Sequence, residues 1–142
     1  AHTWALRAAG GDVPAHRFAE AVDGLMRVGR EVRAFLEQQP YDVLLTPVCP
    51  EVPWPLGGFG PEADNPMAAV MRSAALVTYA SPFNISGQPA ISLPVAVTDG
   101  LPIGAQLVGR WGRDDQLLAL GAQLEDRLGW QHRRPPTHVA DL

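Results

Sequence analysis

Residues 82–109 read PFNISGQPAISLPVAVTDGLPIGAQLVG, two apolar runs around a turn signal. Two apolar runs, 91–97 and 103–108, read as strands joined through the turn-forming Asp99-Gly100 and Pro102. Asn84, placed just before Gly87, reads as a residue whose amide pins a turn. The uncharged character extends outward: no Asp, Glu, Arg or Lys occurs in residues 73–98. A transmembrane span would show the same lack of charge, but Pro82, Asn84, Gly87, Gln88, Pro89 and Pro94 interrupt it. Burial inside a protein is therefore the expectation.

Upstream, Asn65-Pro66 offers a cap followed by a first-turn proline, which predicts a helix over 67–80. Residues 40–66 contain seven prolines together with Gly57, Gly58 and Gly60, a composition that reads as a long ordered loop of a length that often forms a functional lid or pocket rim. Before it, 41–48 reads as a short strand. Its continuous run Val43, Leu44, Leu45 suggests burial on both faces. Residues 14–38 predict an amphipathic helix, because Phe18, Val22, Leu25, Gly29, Val32 and Leu36 recur at four-three spacing. Asp12 and Pro14 mark its start and Pro40 its stop. Downstream, Asp114 or Asp115 is expected to cap a last helix carrying Leu117, Leu118, Leu120, Leu124 and Leu128 and ending near Gly129.

These elements fit one α/β domain over residues 1–142, with a flexible tail from 132. Hydrophobic residues make up 46% and charged residues 18%, proportions of a folded chain. A net charge of −4 leaves no basic surface for phosphates, so nucleic acid is not an expected partner. The single cysteine, Cys49, excludes an internal disulfide, and no signal peptide is visible, which together point to a cytoplasmic protein. The chain begins at Ala1, as either initiator removal or excision from a longer chain would leave it. All eleven basic residues are arginine; the chain has no lysine.

The chemistry-bearing residues do not assemble a hydrolase. The histidines, His2, His16, His132 and His138, lie near the termini, while the serines, Ser73, Ser81, Ser86 and Ser92, lie centrally. No Gly-x-Ser-x-Gly elbow is present. Ser86 and Ser92 are expected to satisfy backbone groups in a buried turn. Cys49 has no cationic neighbour in sequence and is expected to be a buried apolar thiol. His132 and His138 are too few for a metal centre, and Gly57-Gly58-Phe59-Gly60 lacks the lysine of a phosphate cradle. Asn84-Ile85-Ser86 matches a glycosylation acceptor, but nothing else in the sequence supports secretion. No metal and no cofactor is expected.

The run Pro82-Phe83-Asn84-Ile85-Ser86-Gly87-Gln88-Pro89-Ala90-Ile91-Ser92-Leu93-Pro94 resembles the late segment of amidase-signature enzymes. Gly100-Leu101-Pro102-Ile103-Gly104-Ala105-Gln106-Leu107-Val108-Gly109 follows, and Asp42-Val43-Leu44-Leu45-Thr46-Pro47 precedes, in the family's order. The resemblance covers nearly the whole chain and implies the carboxy-terminal section of that fold: helices packed on strands of a larger mixed β-sheet. It also implies a small-molecule amide substrate. Members of the family use a serine nucleophile, a bridging serine and a lysine, all upstream of the section seen here. This sequence has neither the lysine nor a Gly-Gly-Ser-Ser-Gly segment, so no catalytic residue is assigned.

By resemblance, the helix before Asn84 lines part of the family's substrate site, which makes Ala74 and Val77 the candidate substrate-binding residues. The same apolar spacing also serves an ordinary core helix. Glutamine-dependent members carry an aspartate at the position of Val77, and an apolar side chain cannot pair with an ammonium group. The resemblance thus implies an uncharged or apolar amide. The section is expected to expose apolar edges that its missing amino-terminal portion, or a second copy, would cover. A stand-alone binding or interaction module and one chain of a split amidase are the alternatives.

Overall fold

The Asp99-Gly100 turn sets the sheet. In the computed structural model, which describes residues 2–60, 65 and 67–135, both turn residues have positive φ, 51° and 78°. That is the geometry of a tight two-residue hairpin loop whose twist matches its strands. It joins β2 (Ala90–Thr98) to β3 (Leu101–Gly109), with Thr98 opposite Leu101. Pro102 therefore lies in β3, opposite Val97, rather than in the turn. A proline is tolerated there because β1 (Val43–Pro47) reaches along β3 only to Ala105. A bulge between Pro94 and Ala96 leaves Val95 as the extra residue of β2. The sheet is antiparallel throughout, with strand order β1-β3-β2.

Central β3 alternates its side chains between two apolar clusters, as strand periodicity dictates. Val108, fully buried, points to Leu36 and Phe83, with Val32 and Leu44 packed beside them. Leu107 points the opposite way to Leu93 and Leu117, joined by Val43, Ile91, Leu120, Leu124 and Trp130. Helix α2 (Ala15–Gln38) and the short α4 (Ser81–Ser86) cover the first face. Helix α5 (Asp114–Leu128) covers the second. Burying a side chain such as Leu36 or Val108 contributes about 1.5–3 kcal/mol. The protein is thus α/β, an antiparallel sheet flanked by helices.

Several expectations are corrected. Strand β1 is at the sheet edge and not buried on both faces: Leu45 is 65% exposed, because α5 lies over β2 and β3. The helix expected over 67–80 stops early, as α3 (Ala68–Leu76), and the chain turns at Val77 before α4 begins. Asn65 does act at its start, accepting from the Met67 amide through Oδ1 at 3.2 Å; Pro66 lies outside the described residues. The cap of α5 is Arg113, with Asp114 and Asp115 inside the first turn. The helix α1 (His2–Gly11) had no expectation attached to it. In α2 only the carboxy-terminal half packs, burying Gly29 and Leu36, while Phe18 is 66% exposed. Of the expected tail, residues 132–135 are described, and His132 closes a single 3-10 turn.

Candidate substrate-facing site

The turn after α4 is built from buried polar groups, which must find partners inside the protein. Gly87 takes a left-handed conformation, φ 70°, and its amide donates to Phe83 at 2.8 Å. Ser86 Oγ donates to Gln88 Oε1 at 3.1 Å, and Gln88 Nε2 donates to the Gly109 carbonyl at 3.2 Å. This chain of bonds ties α4 to the end of β3. Ser86 thus satisfies neighbouring groups in a buried turn, as expected. Asn84 does not pin it: the residue is exposed, and among the described residues its side chain makes no hydrogen bond. From α2, Arg33 donates to the Ser86 carbonyl at 3.0 Å and lies 3.5 Å over the Trp111 ring.

On the same face of the sheet, Gln106 Nε2 donates to Thr46 Oγ1 and to the Tyr79 carbonyl, both at 3.0 Å. That pair of bonds fixes the segment after α3 against the strands. Val77, the C-cap of α3, accepts from the amides of Ala80 and Ser81 and from Ser81 Oγ at 2.8 Å. Ala74 and Val77 are both exposed, Val77 by 49%.

A cavity of about 590 Å³ lies beside this segment. Val48, Val52 and Trp54 form its loop side, Leu76 comes from α3, and Ser92 and Gly104 come from the strands. Ala74 and Val77 do not line it. The proline-rich loop thus rims a pocket, as loops of its length often do; its composition left open that it folds back over the β2–β3 hairpin. Two expectations fail here as well. Cys49 is exposed and lines the cavity, and Ser92 is exposed on β2 rather than buried in a turn. Cys49 follows edge strand β1 and Ser92 lies on edge strand β2, so neither is enclosed by neighbouring strands on both sides.

A second hollow, about 520 Å³, is bordered by Asp42, Arg113, Asp115 and Gln123 among others. Arg113 donates to both carboxylate oxygens of Asp115, at 2.9 and 3.1 Å. That hydrogen bonding holds the Asp115 carboxyl below the usual aspartate range.

Elsewhere the serines serve the backbone: Ser73 Oγ donates to Ala69 at 2.7 Å, and Ser81 does so to Val77. Among the described residues no serine hydroxyl is hydrogen-bonded to a histidine, and no group of three His, Cys, Asp or Glu side chains is placed to hold a metal ion. His138 lies outside the described residues. No helix among the described residues is long and apolar enough to cross a membrane.

The class defined here is an α/β section with a substrate-sized hollow beside a helix–turn–strand element. The chain belongs to the Amidase family, whose model matches residues 5–118. It is 36% identical to a 6-aminohexanoate-cyclic-dimer hydrolase of Paenarthrobacter ureafaciens, over 94% of this chain but 28% of that protein. It is 35% identical to a glutamyl-tRNA(Gln) amidotransferase subunit of Moorella thermoacetica, over 72% of this chain and 20% of the relative. A solved structure of a 6-aminohexanoate cyclic dimer hydrolase complexed with substrate superposes with a TM-score of 0.88 at 33% identity, covering 95% of this chain and 29% of that one. The chain therefore spans less than a third of the length of the relatives it matches.

Proposed function

We propose that this chain is the carboxy-terminal section of a cytoplasmic amide hydrolase, one that supplies part of the substrate wall and none of the groups that attack the amide. The observation that carries the reading is the absence of lysine from a chain whose serines are engaged with backbone or unaccompanied by a base. A neutral serine is a weak nucleophile until a base removes its proton, and the developing oxyanion needs aimed donors. In this reading Ala74 and Val77 form the wall. Their exposure suits a surface that the upstream section faces in the complete enzyme.

The substrate assigned is a small neutral amide. An apolar Val77 supports amide hydrolysis over glutamine-dependent transfer, since no carboxylate stands there to hold an ammonium group. A cyclic dimer of 6-aminohexanoate, the compound in the hydrolase relative's name, is itself an amide without a free amine, which is the same chemical class.

Exposed apolar side chains along α1 and α2, among them Trp4, Phe18, Leu25 and Met26, support covering by another polypeptide. That observation also favours a second reading, a split amidase in which the catalytic section is a separate chain. A stand-alone interaction module would need no upstream section at all.

The test is to assay the purified chain against simple amides, alone and mixed with a separately produced upstream section bearing the lysine and serine pair. No turnover alone and turnover on mixing is the expected result. A serine of this chain that labels stoichiometrically with a fluorophosphonate would overturn the proposal. An open reading frame running upstream of Ala1 into such a section would separate the single-chain from the split arrangement.

A further inference from the structure

Gln106 is buried on the central strand, opposite Thr46 of β1 and Ser92 of β2, and it joins two segments far apart in sequence. Its side-chain amide carries two N–H donors. One bonds Thr46 Oγ1 and the other the Tyr79 carbonyl, each at 3.0 Å. The Thr46 hydroxyl gives its own hydrogen to the Pro47 carbonyl at 3.0 Å, so it accepts from Gln106. An unbroken line of bonds therefore runs from Pro47 through Thr46 and Gln106 to Tyr79.

Each end of this line meets one wall of the 590 Å³ hollow. Val48 and Cys49, which directly follow Pro47, stand on the loop side; Leu76, shortly before Tyr79, stands on the α3 side. Alternate residues of a strand share a face, so Gln106 stands beside Gly104, the floor of the hollow, without lining it. The loop lies tight on that floor: a Cβ at 104 would come within 3.0 Å of Val48 Cγ2 and 3.3 Å of Ser92 Oγ. Helix α3 packs little against the strands, which gives the tie at Tyr79 weight in placing its carboxy-terminal end. Buried amide donors are costly to leave unmet, so both bonds resist opening and the gap between the walls keeps one width.

We propose that Gln106 is a positioning residue: through Thr46 and Tyr79 it sets the spacing between the proline-rich loop and α3, and so the placement of the substrate wall at Val77. The consequence for substrate rests on the reading of Val77 given above; the brace itself does not.

The test compares Gln106→Met, which keeps the volume and loses both donors, with Thr46→Val, which cuts only the loop-side tie, and Thr46→Ser, which keeps the hydroxyl. The enzyme assembled from this chain and its upstream section is assayed with benzamide and hexanamide. Gln106→Met should raise KM about tenfold and Thr46→Val about threefold, the span of one hydrogen bond's effect. In both, kcat should stay within about twofold, because uniform binding is lost and the attacking groups are untouched. Thr46→Ser should keep the parent KM. Hydrogen exchange should speed at the Ala80 and Ser81 amides, which bond the Val77 carbonyl, in Gln106→Met alone, and should stay at parent rates through α5.

An unchanged KM in Gln106→Met, a fall in kcat without a rise in KM, a Thr46→Ser defect equal to that of Thr46→Val, or exchange that speeds equally in α5 would each overturn the proposal. If Gln106→Met does not fold, the contrast in KM between Thr46→Val and Thr46→Ser decides instead. If the assembled parent hydrolyses neither amide, the hydrolase reading fails and exchange alone decides the brace. Faster exchange in Gln106→Met at Ala80 and Ser81, with α5 unaltered, then upholds it, and any other pattern overturns it.

Discussion

Two glycines end helices in nearly the same backbone conformation but in different surroundings, and comparing them isolates one packing contact. Gly87 closes α4 at φ 70°, ψ 22°, and Gly129 closes α5 at φ 63°, ψ 26°; each amide donates back to its helix at 2.8 Å. Replacing either by alanine imposes the left-handed strain, about 1–2 kcal/mol, partly offset in both by the stiffer unfolded chain. A Cβ on Gly129 would meet nothing within 4 Å, whereas one on Gly87 would come within 3.0 Å of Trp111 Cζ3 and 3.3 Å of Cη2. The indole would have to move from beneath Arg33, giving up a cation–π contact of about 0.5–1 kcal/mol at an exposed site. Crowding of the junction adds roughly 1 kcal/mol or more. Gly87→Ala should therefore lose about 1–3 kcal/mol more than Gly129→Ala, read from urea unfolding at constant m-value. In a Trp111→Leu background the excess should vanish. Losses that agree within about 0.5 kcal/mol in the parent chain would show that the Trp111 contact adds nothing.

Leu36→Ala, at a position 1% exposed against Phe83 and Val108, should cost about 2–5 kcal/mol, while Leu25→Ala on the same helix, 50% exposed, should cost under about 1; urea midpoints rank the pair. Because Asp115 titrates below its unfolded value, its bond to Arg113 favours the folded state above the unfolded pKa and is lost as pH falls through the folded one. Carboxyl chemical shifts should show the Asp115 midpoint rising toward the ordinary aspartate value in Arg113→Gln. Val77→Asp should leave unfolding within about 0.5 kcal/mol, since the position is half exposed. In the assembled enzyme the same change should shift preference from neutral amides toward those bearing an amine, read as the ratio of kcat/KM values.

Local sequence determined the elements whose signals are local. Asp99-Gly100 specified the hairpin because two consecutive residues at positive φ suit Asp and Gly. The four-three spacing specified α2, and Gly129 the end of α5. The missing lysine could be read from composition alone, and the quoted motifs were enough to indicate the family. Tertiary structure decided which apolar residues are core. Val43, Leu44 and Leu45 look alike in sequence, yet Leu45 is left exposed because β1 falls at the edge of the sheet and α5 passes over the other strands. The break between α3 and α4 carries no proline or glycine at Val77; it is held by Gln106 reaching across from β3 to the Tyr79 carbonyl, a contact spanning 27 residues. Cys49 and Ser92 looked inert or buried, and they share a cavity only because the proline-rich loop returns over the hairpin. Periodicity and capping act over a few residues, whereas burial depends on which distant segments arrive on each face, and no short-range pattern encodes that.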